Sequence, residues 1–263
     1  MTPRRTAILL LASLALVTGC GGKKQKRLDT ASKMSQLGIS KLKEGDAEGA
    51  VADLTQATKL APKDPEIRHL LGMALWSKGS VIGDDSLMTE AEKSILQSFD
   101  MKGQKEVPGD WHNNLGALYV DLRRWPDAVV ELQKALKDPE YRTPERPLNN
   151  LSKCSLEQHK YAEALEYAER ALKIQPRFCT ALVNKGEAAK ALKRTQDALD
   201  AYLKVIEVEE CSGWAEPYLK VGLIYYEQKR TNDAKQNFQK AKQADPDGPI
   251  GKEADRYLRS IGK

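Results

Sequence analysis

One short pattern returns six times along this chain, and that periodicity limits the possible folds to stacked copies of a single supersecondary unit. The clearest copy lies near the C-terminus, at Val221-Gly222, Tyr225, Ala234, Phe238, Ala241 and Pro246. Earlier copies keep the same frame. They run Leu37-Gly38, Ala50, Leu54, Ala57 and Pro62, then Leu71-Gly72, Ala91, Ile95 and Ser98, then Leu115-Gly116, Tyr119, Ala128, Leu132 and Ala135. Two more follow at Leu151, Ala164, Ala168, Ala171 and Pro176, and at Gly186, Ala198, Tyr202 and Val205.

The recurring alanines fall at 50, 91, 128, 164, 198 and 234, so the spacings are 41, 37, 36, 34 and 36 residues. With these residues and this period, residues 31–248 resemble tetratricopeptide (TPR) repeats. The resemblance implies an all-α fold: a right-handed superhelical solenoid of six antiparallel helix pairs, in which the small residues mark where paired helices come closest. A charged fraction of 30% with only 6% aromatics agrees with helix rather than sheet.

Local signals place the boundaries. Gly45 and Gly79 are expected to end first helices, Asp46, Thr195 and Thr231 to cap second ones, and Pro126 to sit in a first helical turn. The long first spacing puts surplus residues in Ser80–Thr89, expected as an inserted loop in repeat two. In repeat four Ser152 takes the glycine position, which predicts a looser helix pair. Beyond Pro246, Ala254, Tyr257, Leu258 and Ile261 recur at helical spacing, so residues 249–263 are expected as a helix covering the open end.

The first nineteen residues stand apart from the repeats. Arg4 and Arg5 precede eleven apolar or small residues, Ala7 to Val17, too few to span a bilayer, and this order reads as a signal peptide. It ends Val17-Thr18-Gly19-Cys20, which resembles the lipobox of bacterial lipoproteins. That resemblance implies acylation of Cys20, and the Gly at position 21, where Asp would signal inner-membrane retention, implies an outer-membrane anchor facing the periplasm. Residues 20–30 are then expected as the lipidated cysteine and a flexible basic tether, with Lys23, Lys24, Lys26 and Arg27 near lipid headgroups or simply solvated.

Those four residues, with Arg4 and Arg5, account for the basic excess behind the formal charge of +5. From Leu28 onward there are 36 basic and 37 acidic residues, so no nucleic-acid footprint is expected. Nor is there a catalytic constellation. His69, His112 and His159 are widely separated, and no chelating spacing, phosphate loop or nucleophile elbow occurs, so neither enzyme activity, metal, cofactor nor small-molecule substrate is expected. Outside Cys20 the thiols are Cys154, Cys179 and Cys211. An oxidising periplasm favours pairing Cys179 with Cys211, both at repeat junctions, while three reduced buried thiols fit the sequence as well.

In TPR proteins the first helices line a partner-binding groove. Carried onto this frame, the groove positions are Ile39, Leu42, Met73, Trp76, Asn113, Val120, Asn149, Lys153, Leu156, Leu219, Leu223 and Tyr226. The apolar members read as a seat for a helix or an extended peptide, with Trp76 and Tyr226 as anchors. Some of them could equally contact the neighbouring repeat. Trp111, Trp125 and Trp214 lie near helix starts and are expected to pack. A lipobox followed by six such repeats is similar to the PilF/PilW/Tgl family of type IV pilus pilotins. The resemblance implies a partner, the secretin subunit, held in the groove and helped to assemble at the outer membrane. A TPR lipoprotein of β-barrel assembly, or an adaptor for peptidoglycan enzymes, is the alternative.

Overall fold

The computed structural model describes residues 15–103 and 106–261, with side chains from residue 22 onward. Among these residues the chain is entirely helical and divides into two compact units that meet in sequence between Val107 and Pro108. The signal-peptide reading falls mostly on residues 1–14, outside the described residues.

The first unit holds α1 (Ala15–Glu44), α2 (Ala47–Leu60), α3 (Pro65–Ile82) and α4 (Asp85–Lys102). The second holds α5 (Gly109–Asp121), α6 (Trp125–Lys137), α7 (Glu145–Glu157), α8 (Tyr161–Ile174), α9 (Cys179–Ala191), α10 (Thr195–Glu207), α11 (Ala215–Glu227), α12 (Thr231–Ala244) and α13 (Pro249–Ile261). Within each pair a turn of two or three residues joins the helices, which therefore pack side by side and antiparallel. This is the architecture of a TPR stack.

Each helix pair is set by one close approach. A Cβ added at Gly38 would lie 2.6 Å from Leu54 Cγ, at Gly116 2.6 Å from Leu132 Cγ, at Gly186 2.5 Å from a Tyr202 ring carbon, and at Gly222 2.7 Å from Phe238. In all four the large residue stands sixteen positions after the glycine. The alanines at 50, 91, 128, 164, 198 and 234 are all fully buried, where the second helix presses against its neighbours.

Repeat two shows where its extra residues go. Gly72 faces Ile95, twenty-three positions on, so seven more residues lie between the two contact points than in the other pairs. They do not form a loop. Helices α3 and α4 each have 18 residues, against 13 or 14 for helices α5 to α12, and are joined by Gly83 and Asp84 alone. The surplus therefore lengthens both helices by about a turn, because the segment lacks proline and Asp84 caps α4 by accepting from Ser86 N and Leu87 N. Gly79 does not end α3. It sits inside the helix, where an added Cβ would lie 3.1 Å from the Asp84 carbonyl oxygen, and the left-handed stop comes at Gly83.

Repeat four solves the same packing problem differently. Ser152 is fully buried and its hydroxyl donates to the Ala164 carbonyl at 2.7 Å, while the residue sixteen positions on is the small Ala168. A small-for-large exchange and a hydrogen bond thus replace glycine, and the pair is pinned rather than loosened.

The turns differ between units. In the first, Gly45 (φ 83°) and Gly83 (φ 70°) supply the left-handed residue; in the second, Arg123, His159, Lys193 and Lys229 do so at φ 57–63°. Thr195 and Thr231 are not caps. Each is the first helical residue, preceded by Arg194 or Arg230, whose guanidinium instead pairs with Asp197 at 2.5 Å or Asp233 at 2.8 Å.

Two terminal segments complete the units. The expected flexible tether is helical, because α1 extends upstream of the first repeat through residues rich in Lys, Gln, Arg and Leu, and Arg27 Nε donates to the Leu60 carbonyl at 2.7 Å. At the other end α13 lays Ala254, Tyr257, Leu258 and Ile261 against Leu219, Phe238 and Ala241. The Tyr257 and Phe238 rings stack at 5.0 Å.

A close approach of this kind predicts its own failure. Gly222→Ala should destabilise the second unit by about 1–3 kcal/mol through overpacking on Phe238, despite alanine's better helix propensity. Paired Gly222→Ala, Phe238→Leu should recover part of the loss in a thermal melt, since the smaller side chain frees that space.

Candidate partner-binding faces

In the first unit the groove positions are Ile39 and Leu42 on α1 and Met73 and Trp76 on α3, and these two helices pack against each other. All four side chains are half-buried. They are apolar residues that the close contacts between Gly38 and Leu54, and Gly72 and Ile95, do not use.

The second unit departs further from the expected groove. Val120 is 3% exposed and Leu219 4%, and Leu219 packs in the cluster around Phe238 and Ala254, so neither offers a surface. Leu156 and Leu223 are half-buried and lean on the clusters around Ala164 and Phe238, respectively. Tyr226 is 41% exposed and meets Tyr257 edge-on at 5.6 Å between ring centroids.

The polar groove residues bind their own neighbours. Asn113 is buried and accepts from Asn150 Nδ2 at 3.1 Å; Asn149 accepts from Asn184 Nδ2 through its side-chain oxygen at 3.0 Å. Lys153 pairs with Asp121 at 2.9 Å. Helix α9, to which the sequence frame assigned no groove residue, carries Asn184, Glu187 and Lys190 at three-residue spacing. Glu187 pairs with Lys220 at 2.7 Å and Lys190 pairs with Glu227, so α9 links α7 to α11. These partners lie about one repeat apart in sequence, and that offset was the available signal.

The histidines occupy three environments. His69 is buried against Phe99, and burial pushes its pKa down to about 3. His112 Nδ1 lies 2.6 Å from Glu131, which also accepts from Lys134 at 2.7 Å. Burial works against the Glu131 charge, but the hydrogen bonds from His112 and Lys134 outweigh it and keep the carboxyl below its usual range. His159 is an exposed turn residue beside Tyr161. Among the described residues no group of three His, Cys, Asp or Glu side chains could hold a metal ion.

Cys179, at the start of α9, and Cys211, in a single 3-10 turn before α11, are joined as a disulfide with Cα atoms 6.4 Å apart. Cys154 is a free buried thiol, and burial raises its pKa. Of the tryptophans, Trp111 is buried and Trp125 half-buried, but Trp214 is 38% exposed beside the disulfide, which departs from its expected packing role. The lipobox side chains lie outside the described residues.

Comparison with known proteins matches tetratricopeptide-repeat family models at residues 35–81, 146–178, 180–210 and 215–247. This chain is a tetratricopeptide-repeat protein. It is homologous to the type IV pilus assembly protein PilF of Pseudomonas aeruginosa, 26% identical over 182 residues that cover 66% of this chain and 68% of the relative. Its fold is similar to the crystal structure of PilW, described as a widely conserved type IV pilus biogenesis factor, with a TM-score of 0.71 at 20% identity over 89% of this chain and 98% of PilW. The structure of Pseudomonas aeruginosa PilF superposes with a TM-score of 0.69 at 18% identity, covering 88% of this chain and 99% of that one.

In this TPR protein the disulfide closes a loop that spans repeat five, with a sequence separation of 32. Reduction should therefore lower the stability of the second unit by about 3 kcal/mol, and Cys179→Ser should reproduce the shift and make the melt insensitive to reductant. Equal melts of oxidised and reduced protein, with three thiols reactive in unreduced unfolded protein, would mean that the bond is not formed in the native molecule.

Proposed function

We propose that this TPR protein is a lipid-anchored pilotin: it holds a secretin subunit at the periplasmic face of the outer membrane and promotes assembly of the pore through which type IV pili extend. The observation that carries this reading is the homology to PilF along two thirds of both chains. The lipobox ending at Cys20 supports an envelope anchor, since none of the described helices is long and apolar enough to cross a membrane.

Within that reading the work is binding and positioning, not bond chemistry. The partner surface is narrower than the sequence frame implied. Each unit contributes a face of its own: Ile39, Leu42, Met73 and Trp76 in the first, and in the second the exposed Tyr226 with Leu223 on the same helix, while Asn149, Lys153 and Leu156 lie on α7, where the two polar groups are already paired. Aromatic residues at such positions present a large rigid surface at low entropic cost, which makes Trp76 and Tyr226 the anchors.

A Trp76→Ala, Tyr226→Ala variant should be exported and acylated at normal levels. It should bind the secretin subunit more weakly by about 2 kcal/mol or more for each anchor lost, roughly thirtyfold. Because Tyr226 also touches Tyr257, some loss of stability, about 1 kcal/mol, is expected from that site, and a melt of each single variant separates this loss from the loss of binding. Heat-resistant secretin multimers on gels from the same strain give the readout. Normal multimers with both rings removed would sink the assignment of these faces, and normal multimers in a strain lacking the protein would sink the pilotin reading itself.

A further inference from the structure

At the base of the first helix pair the chain forms a cleft of about 870 Å³ that the pilotin reading does not use. Its floor is apolar, from Leu28, Leu60, Ala61, Pro62 and Pro65. Four cations surround it: Lys23, Lys24 and Arg27 on α1, and Lys63 in the turn between α2 and α3.

The charge balance of the cleft is unusual for this protein, whose repeats are otherwise near neutral. Asp64 and Glu66 also line it, but Asp64 caps α3 by accepting from Glu66 N at 2.9 Å and Ile67 N at 3.1 Å, and Glu66 faces Lys102 at 3.9 Å. None of the four cations is paired with a carboxylate among the described residues. Arg27 is held in place through Nε on the Leu60 carbonyl, so its outer nitrogens remain available in a fixed position. Cys20 precedes Lys24 by four residues in the same helix, about one turn or 6 Å along the axis.

We propose that this cleft is a docking site for the headgroup of an anionic glycerophospholipid in the membrane that receives the acyl chains of Cys20. The lipid phosphate lies among Lys23, Lys24, Arg27 and Lys63, and its glycerol and upper acyl carbons cover Leu28, Leu60 and Pro62. The inference rests on the lipoprotein reading of Cys20 and deepens it. An acyl anchor alone fixes distance from the bilayer but not orientation. A headgroup seated between α1 and the α2–α3 turn fixes the first helix pair against the surface as well.

Lys63 separates a built site from a merely basic leader, because it lies 36 residues after Arg27 in a turn of the folded repeats. The test uses the chain from position 20 onward with Cys20→Ser, which keeps every packed helix and removes acylation. Its flotation is measured with vesicles of phosphatidylglycerol and phosphatidylcholine, and with vesicles of phosphatidylcholine alone. Salt-sensitive binding to the anionic vesicles only is expected. Lys63→Glu should weaken it at least about fivefold, in line with the contribution of one basic residue at an anionic surface, with an unchanged melt. If Lys63→Glu binds as tightly as the parent while Lys23→Glu, Lys24→Glu does not, the basic run acts alone and the cleft is overturned. Equal binding to neutral vesicles, or none to either, overturns it too. Acyl labelling of the intact protein reads the anchor separately: a labelled chain with an inert Lys63 leaves the lipoprotein reading standing, whereas an unlabelled chain removes both.

Discussion

The contact between a glycine on one helix and a bulky side chain sixteen residues later sets the geometry of this protein. At Gly38, Gly116, Gly186 and Gly222 a single methyl group would fall 2.5–2.7 Å from a side-chain carbon, well inside van der Waals contact. Interiors packed to crystal density do not accommodate that without moving a helix. The fixed separation matters as much as the small residue. It places contact points at corresponding levels of two antiparallel helices, so the stretch between them holds the end of one helix, a turn of two or three residues and the start of the next. Where the separation grows to twenty-three, between Gly72 and Ile95, both helices lengthen together and the contact itself survives.

That constraint explains what was legible in the sequence. Glycine, alanine and large-residue positions recur because each is a packing requirement, so six repeats could be read from spacing, and the resemblance to TPR repeats made each one a helix pair. The form of the insertion could not, because a count of extra residues does not distinguish a loop from two longer helices. Only the absence of proline between Ser80 and Thr89, and Asp84 as a cap, pointed to helix. Ser152 was misjudged for a related reason. Its hydroxyl meets the Ala164 carbonyl across the pair, and a pattern of residue sizes carries no information about hydrogen bonds.

The candidate faces were less legible than the stack, and the reason is electrostatic. A groove position states only which helix face a residue occupies, not whether the adjacent helix offers it a partner. In the second unit it does: Asn113 with Asn150, Asn149 with Asn184, Lys153 with Asp121 and Glu187 with Lys220 satisfy one another from helix to helix. Half-buried polar groups left unpaired would be costly, and here they stand in couples about one repeat apart. The first unit places Ile39, Leu42, Met73 and Trp76 at the same positions instead. Apart from Trp76 these are purely aliphatic or thioether side chains, so that face carries no ladder of side-chain amides and ion pairs like the one on α7, α9 and α11.

Repeat proteins hold together through nearest neighbours, so the position of a contact along the stack decides how far its loss spreads. Within the second unit, Gly222 and Phe238 join α11 to α12, and among the described residues α13 is the one element that follows them, resting on Phe238. Disturbing them loosens an end. Gly186 and Tyr202 lie inside, where α9 also meets α7 through Asn184 and α11 through Glu187 and Lys190, and the disulfide ties the start of α9 to the turn before α11. A wider separation at that pair would strain both ladders and the covalent link at once. The cross-link and the densest polar pairing therefore coincide at repeat five, where helices on both sides depend on the spacing that Gly186 sets.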